Sequence, residues 1–211
     1  MKRENVGALI LAAGSSSRMG TPKAFLPFDE KSNFLEKICS TYIEWGCNKV
    51  VVVINEASQK KVRITGDHDQ TVTIVVNDHP EFERFYSVKL GLQKMTKSDF
   101  CFIQNVDNPF LTHTILNNLY RARSNEAYVV PTFGNKGGHP ILLNKKTILY
   151  LSSFPDNAAN LRQVLGEVPC KKVMEKDSHI LVNINESDEY ERQMLSNKRK
   201  WNQSMIKLQR S

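Results

Sequence analysis

The sequence has no apolar run approaching the roughly 20 residues that a bilayer-spanning helix needs, so no membrane anchor is expected. Its opening, MKRENVGALILAAG, lacks the longer apolar stretch and small-residue cleavage site of a secretory signal. A soluble, cytoplasmic protein is the expectation. No C-x-x-C pair occurs: Cys39, Cys47, Cys101 and Cys170 are scattered, with no histidine at zinc spacing. That argues against a structural zinc site and predicts mostly buried, reduced thiols. Two phosphate-binding signatures are missing as well, G-x-x-x-x-G-K-[ST] and G-x-G-x-x-G. Neither internal repeats nor a disordered linker interrupts the chain, and 211 residues with 40% hydrophobic content suit one compact domain.

Excess charge is concentrated at one end. From residue 191 onward Arg192, Lys198, Arg199, Lys200, Lys207 and Arg210 oppose Glu191 alone, which places +5 of the formal +7 in the tail. A solvated terminal helix or a frayed end accounts for this as well as nucleic-acid binding does, and nucleic acid is not an expected partner. The chain therefore divides into a domain over 1–190 and a basic C-terminal helix or tail over 191–211.

What is present is an alternation of short apolar runs with segments of helical period. VGALIL at 6–11, VVVVI at 50–54, VTIVV at 72–76 and FCFIQNV at 100–106 read as strands covered on both faces. Helices are expected at Asn33 to Trp45, closed by Gly46, at Phe85 to Met95, and at Thr112 to Arg123 with Thr112 as N-cap. The order predicts an α/β fold. After Ala127 it loosens: a strand through Val130, the turn GNKGG, the strand PILLN, and short helices near Lys145 to Leu151 and Asn160 to Leu165. This portion reads as a lid or substrate-side elaboration. Two last strands, Lys172 to Met174 and Ile180 to Asn185, precede a terminal helix beginning near Ser187.

The first strand runs directly into LAAGSSSRMGTPKAFLPF. Ala12, Ala13 and Gly14 leave backbone N–H groups without overhanging side chains, so the loop can approach an anion closely. Ser15, Ser16 and Ser17 add hydroxyl donors, and Arg18 and Lys23 add two cations that can neutralise a triphosphate. A lone Gly/Ser turn with surface cations would be an unremarked strand-to-helix connection. NVDNPF at 105–110 ends another strand, where open α/β sheets gather ligands. Asp107 there offers the oxygen ligand that magnesium chemistry requires, although an Asp-Asn-Pro turn also serves simply to leave a sheet. ERFYSVKLGL at 83–92 is an amphipathic helix with Phe85, Val88 and Leu92 facing the core and Ser87 near its start.

These segments carry a resemblance. L-A-A-G-x-S-x-R-M-G-x-P-K at Leu11 to Lys23 resembles the signature loop of the MobA-like nucleoside-triphosphate transferases. The guanylyltransferase branch usually reads L-A-G-G followed by D-K, whereas Ala12, Ala13, Pro22 and Lys23 follow the cytidylyltransferase branch. ERFYSVKLGL resembles the E-R-x-x-S-V-x-x-G-L element of cytidylyltransferases acting on methylerythritol phosphate, NVDNPF the V-D-x-P-F metal motif, and GGHPILL at 137–143 the G-H-P-V-L segment of molybdenum-cofactor cytidylyltransferases. VNINESDEY at 182–190 resembles the N-I-N-T-P-E-D-Y ending. Many relatives of the molybdenum-cofactor branch have Gly-Met where this chain has Arg84 and Phe85, and an acidic-glycine pair near Asp156 to Ala159.

The resemblance implies a single-domain three-layer α/β/α sandwich with a Rossmann-like, mostly parallel sheet of the nucleotide-diphospho-sugar transferase type. It implies a Mg2+-dependent nucleotidyltransferase that moves CMP from CTP to a phosphorylated acceptor such as molybdopterin or the molybdenum cofactor, releasing pyrophosphate. Arg18, Lys23 and Asp107 would be catalytic. Leu11 to Ser16, that is Leu11, Ala12, Ala13, Gly14, Ser15 and Ser16, with Asn77 and Ser87, would hold the nucleotide. Asp107 would bind the metal with Asn183 or Asn185, which share a face at strand period unless Asn185 caps the following helix. Gly138, His139 and Pro140 would meet the acceptor, His139 being otherwise a hydrogen-bonded turn residue. A redox enzyme receiving the product is a further candidate partner. Alternatives are a cytidylyltransferase or sugar-1-phosphate nucleotidyltransferase for another small phosphate, or a non-catalytic nucleotide-binding protein.

Overall fold

A computed structural model describes residues 5–14, 21–62 and 71–195. In chain order its main elements are β1 (Val6–Ala12), α1 (Phe34–Trp45), β2 (Lys49–Asn55), α2 (Glu56–Gln59), β3 (Val72–Asn77), α3 (Glu83–Gln93), β4 (Phe100–Asn105) and α4 (His113–Arg121). There follow β5 (Tyr128–Phe133), β6 (Lys136–Gly137), β7 (Ile141–Asn144), α5 (Lys145–Ser152), α6 (Leu161–Gly166) and β8 (Cys170–Met174). A last helix, α7, occupies 187–195. None of the described helices is long and apolar enough to cross a membrane.

The strands form one sheet in the order β3-β2-β1-β4-β7-β5-β6, with β8 beside β5. β1 to β4 are mutually parallel, β7 runs antiparallel to β4, and β5 and β8 run parallel to each other. All of β1 is buried, because helices cover both faces. Val6, Ala8 and Ile10 point into a core layer shared with Phe34, Ile38, Tyr42 and Leu116 of α1 and α4. Leu9 and Leu11 point into the opposite layer, with Val88 and Leu92 of α3 and Leu151 of α5. The strand period of two thus builds three layers.

Local chemistry fixes the helix ends. The Asn33 carboxamide accepts from the Glu36 N–H while the Glu36 carboxylate accepts from the Asn33 N–H, both at 2.9 Å. This reciprocal cap starts α1, and Gly46, at φ 106°, ends it in the left-handed region. Thr112 caps α4 by accepting from the Ile115 N–H at 3.3 Å. On α3, a Cβ at Gly91 would lie 2.2 Å from Leu9 Cδ1, so the glycine is what lets this helix lie against β1.

Two sequence expectations are corrected. The region after Ala127 is not a lid: β5, β7 and β8 continue the central sheet. Three consecutive apolar residues in β7 explain this, since Leu142 fills one core layer while Ile141 and Leu143 fill the other. Nor is Ile180 to Asn185 a strand. The Asp177 carboxylate accepts from the His179 N–H and initiates a 3-10 turn, Ser178–Leu181, after which 182–185 runs without a partner strand. Ile180 and Ile184 are buried, and their inward packing imitates strand alternation.

Candidate active site

A cavity of about 450 Å³ opens at the carboxyl ends of β1 to β4. The chain lays β2 and β3 on one side of β1 and β4 on the other, so strand order reverses between β1 and β4; such switch points leave a crevice for ligands. From β1 the wall receives Leu11 and Ala12, then Ala13 and Gly14; Asn55 and Asn77 come from β2 and β3. Lys23, Ser87 and Asp107 also line it, so the wall joins residues as far apart in sequence as Leu11 and Asp107. Ser15, Ser16, Ser17 and Arg18 lie outside the described residues.

Lys23 opens a 3-10 turn after Pro22, and its Nζ lies 3.7 Å from Asp107 Oδ2. The Asp107 carboxyl is nevertheless held above the ordinary carboxylate value, because burial outweighs the opposing charges of Lys23 and Arg84. Its Oδ1 is buried and accepts no hydrogen bond among the described residues. Asn77 Nδ2 donates to Ser87 Oγ at 2.9 Å, and both side chains are buried. Asn77 Oδ1 in turn accepts from the His79 N–H. Ser87 is therefore a fixed polar point on the cavity wall in the second turn of α3.

The C-terminal segment reaches the site from outside the sheet. Ile184 N–H donates to the Asp107 carbonyl at 2.8 Å, and Asn185 Oδ1 accepts from Lys23 Nζ at 2.5 Å. Asn185 thus meets Lys23 and does not cap α7 with its side chain. Asn183 does not share that face: without strand geometry its Nδ2 turns back to the Leu181 carbonyl at 3.4 Å. Gly138, His139 and Pro140 are not among the residues that line the cavity. Gly138 and His139 donate their N–H groups to the carbonyls of Pro131 and Ile180. His139 connects to the wall through Nε2 and Asn105 Nδ2 at 3.0 Å. Burial, then the charge of Arg84, pushes the His139 imidazole down to about 4, so it is neutral at pH 7.

Residues 8–173 match the MobA-like NTP transferase domain. The chain belongs to that family. A curated relative, molybdenum cofactor cytidylyltransferase from Escherichia coli (strain K12), is 26% identical over 189 residues, 88% of this chain and 93% of the relative. Among solved structures, the Mycobacterium sp. strain JC1 homologue of Mycobacterium tuberculosis Rv0371c superposes with a TM-score of 0.78 at 22% identity, covering 93% of this chain and 98% of that one. Rv0371c itself, in complex with manganese, gives 0.71 at 16% identity, covering 91% and 99%. The mostly parallel sheet flanked by helices is the fold of these structures.

Within this MobA-like domain, three polar wall residues had no role assigned from sequence: Asn55, Arg84 and Asn105. Asn55 Nδ2 donates to the Ala13 carbonyl at 3.3 Å and so steadies the start of the loop. Arg84 adds a second cation whose field reaches Asp107 and His139. Arg84 and Asn105 both sit inside recognised motifs, and a polar residue at each strand's last position was the available signal.

Proposed function

We propose that this nucleotidyltransferase moves CMP from CTP to a phosphorylated acceptor of the molybdopterin or molybdenum-cofactor type, using Mg2+. The observation that carries the reading is the convergence of Lys23, Asp107 and the Asn77–Ser87 pair on one cavity at the strand ends. Residues Ala12, Ala13, Pro22 and Lys23 and the E. coli relative favour CTP and the cofactor acceptor.

The donor set suits a hard cation. Asp107 Oδ1 is buried and accepts no hydrogen bond among the described residues, where no group of three His, Cys, Asp or Glu side chains stands together either. Magnesium typically takes one or two carboxylates and completes its shell with phosphates and water, and the related fold of Rv0371c was solved with manganese. A divalent cation bound at Asp107 would neutralise phosphate oxygens. Lys23 would stabilise charge on the leaving group, backbone N–H groups after Leu11 would hold the triphosphate, and Asn77 with Ser87 would face the base. An acceptor phosphate oxygen forms its bond to the α-phosphorus while the bond to the bridging oxygen breaks, and pyrophosphate departs with that electron pair. A phosphomonoester is already largely ionised at neutral pH, so orientation and charge neutralisation supply the rate without a strong base.

The test is pyrophosphate release with CTP or GTP, Mg2+ and a panel of acceptors that includes molybdenum cofactor. Turnover is expected with CTP and the cofactor, and Lys23→Ala and Asp107→Asn should each reduce it by about 100-fold or more with folding retained. Full activity in either variant, or turnover with GTP alone, would contradict the reading.

A further inference from the structure

Gln104 is the last buried residue of β4, 1% exposed, on the strand face that carries Phe102 toward Tyr42 and Trp45. A carboxamide placed in an aromatic layer is costly unless every polar atom finds a partner, and a leucine or methionine would fill the space without that demand. Each Gln104 partner is accounted for. Tyr42 Oη donates to Oε1 at 3.4 Å, and Nε2 donates to the carbonyls of Asn105 at 3.0 Å and Asn108 at 2.8 Å. Two carbonyls can only accept, so the amide orientation is dictated by its surroundings.

Those two carbonyls bracket Asp107. Asn108, 2% exposed, extends the hold: its Nδ2 donates to the carbonyls of His179 at 3.0 Å and Ile180 at 3.3 Å. The peptide of Asp107 itself accepts from Ile184 N–H at 2.8 Å. The turn that presents the carboxylate is therefore gripped from the core by one buried amide and tied to the C-terminal segment by another. Neither Gln104 nor Asn108 lines the cavity.

We propose that Gln104 and Asn108 are positioning residues that fix the 105–108 turn so that the Asp107 carboxylate is preset for a divalent cation. The inference rests on Asp107 being the metal ligand. Preorganisation matters here because a hard cation with a single protein carboxylate has no second carboxylate to compensate for a displaced one. Loss of either amide frees the turn: Gln104 is what pairs the Asn108 carbonyl, and the carbonyls of Asn105, His179 and Ile180 are left with one backbone donor each.

The experiment measures Mn2+ alone binding to the full chain, by loss of the free-ion electron paramagnetic resonance signal, alongside CTP binding in EDTA. Gln104→Met and Asn108→Leu are each expected to weaken Mn2+ at least tenfold while changing CTP affinity in EDTA less than twofold. Asp107→Asn should abolish Mn2+ binding. Mn2+ affinity at the wild-type level in folded Gln104→Met and Asn108→Leu, with Asp107→Asn inactive in binding, would overturn the brace and leave the metal reading standing. Equal losses of Mn2+ and CTP would also overturn it, as general damage. Unchanged Mn2+ binding in Asp107→Asn would remove both. Tyr42→Phe, which deletes one hydroxyl, is a milder variant expected to weaken Mn2+ two- to fivefold; no change there in a protein whose Gln104→Met form does not fold would count against the brace.

Discussion

Asp107 stands beside Lys23 and within the field of Arg84, yet burial leaves its carboxyl above the usual range. The two cations do not replace the lost hydration of a carboxylate whose Oδ1 accepts no hydrogen bond among the described residues. His139 shows the opposite shift, down to about 4 from an ordinary 6.5, since burial and Arg84 both penalise the imidazolium. The consequence for stability follows from proton binding. Between pH 6.5 and about 4 the unfolded chain takes up a proton at this position that the folded chain refuses, so stability falls as pH falls through that window and levels off below it. His139→Gln should flatten this acid loss. Denaturant titrations at pH 7 and pH 4.5 check it, and parallel losses in both proteins would exclude His139 as the cause.

Among the secondary-structure elements, α1 was readable because its ends are chemical: Asn33 with Glu36 at one end and Gly46 at the other. α3 was less so. Helical period places it at Phe85 to Met95, whereas it runs Glu83–Gln93 directly out of a 3-10 turn, Pro80–Phe82, with no side-chain cap at Phe82. Without a capping residue nothing local marks that start. The packing of α3 on β1 makes a sharper prediction. A side chain at position 91 meets the Leu9 side chain, which is fully buried and would have to shift. Gly91→Val should destabilise the protein by about 1–3 kcal/mol, read as a lower denaturant midpoint with unchanged slope. Unaltered stability would mean α3 can move off the sheet. Ile180 to Asn185 misled because burial at two isolated isoleucines has the same spacing as a strand, and only a partner strand distinguishes the two.

At the level of the whole molecule, the sheet order was what sequence could not supply, although four parallel strands with helices between them were plain. The insertion of β7 between β4 and β5 depends on a long return of the chain, not on any local pattern. The candidate site was legible where a residue ends a strand, as with Asn77, or follows one, as with Gly14, Lys23 and Asp107. It was not legible where contacts join distant segments. Asn185 on Lys23, His139 on Asn105 and Gln104 behind Asp107 are all products of the assembled fold. The contact of Asn185 gives the C-terminal segment a part in the candidate site although the family match ends at residue 173.

The most direct measurement of the central claim is a crystal structure of the protein with CTP and Mg2+. The expected complex has the cytosine against Asn77 and Ser87, the triphosphate along Ala12 to Gly14 within reach of Lys23, and the metal on Asp107. A nucleotide bound elsewhere, or a metal coordinated without Asp107, would contradict it.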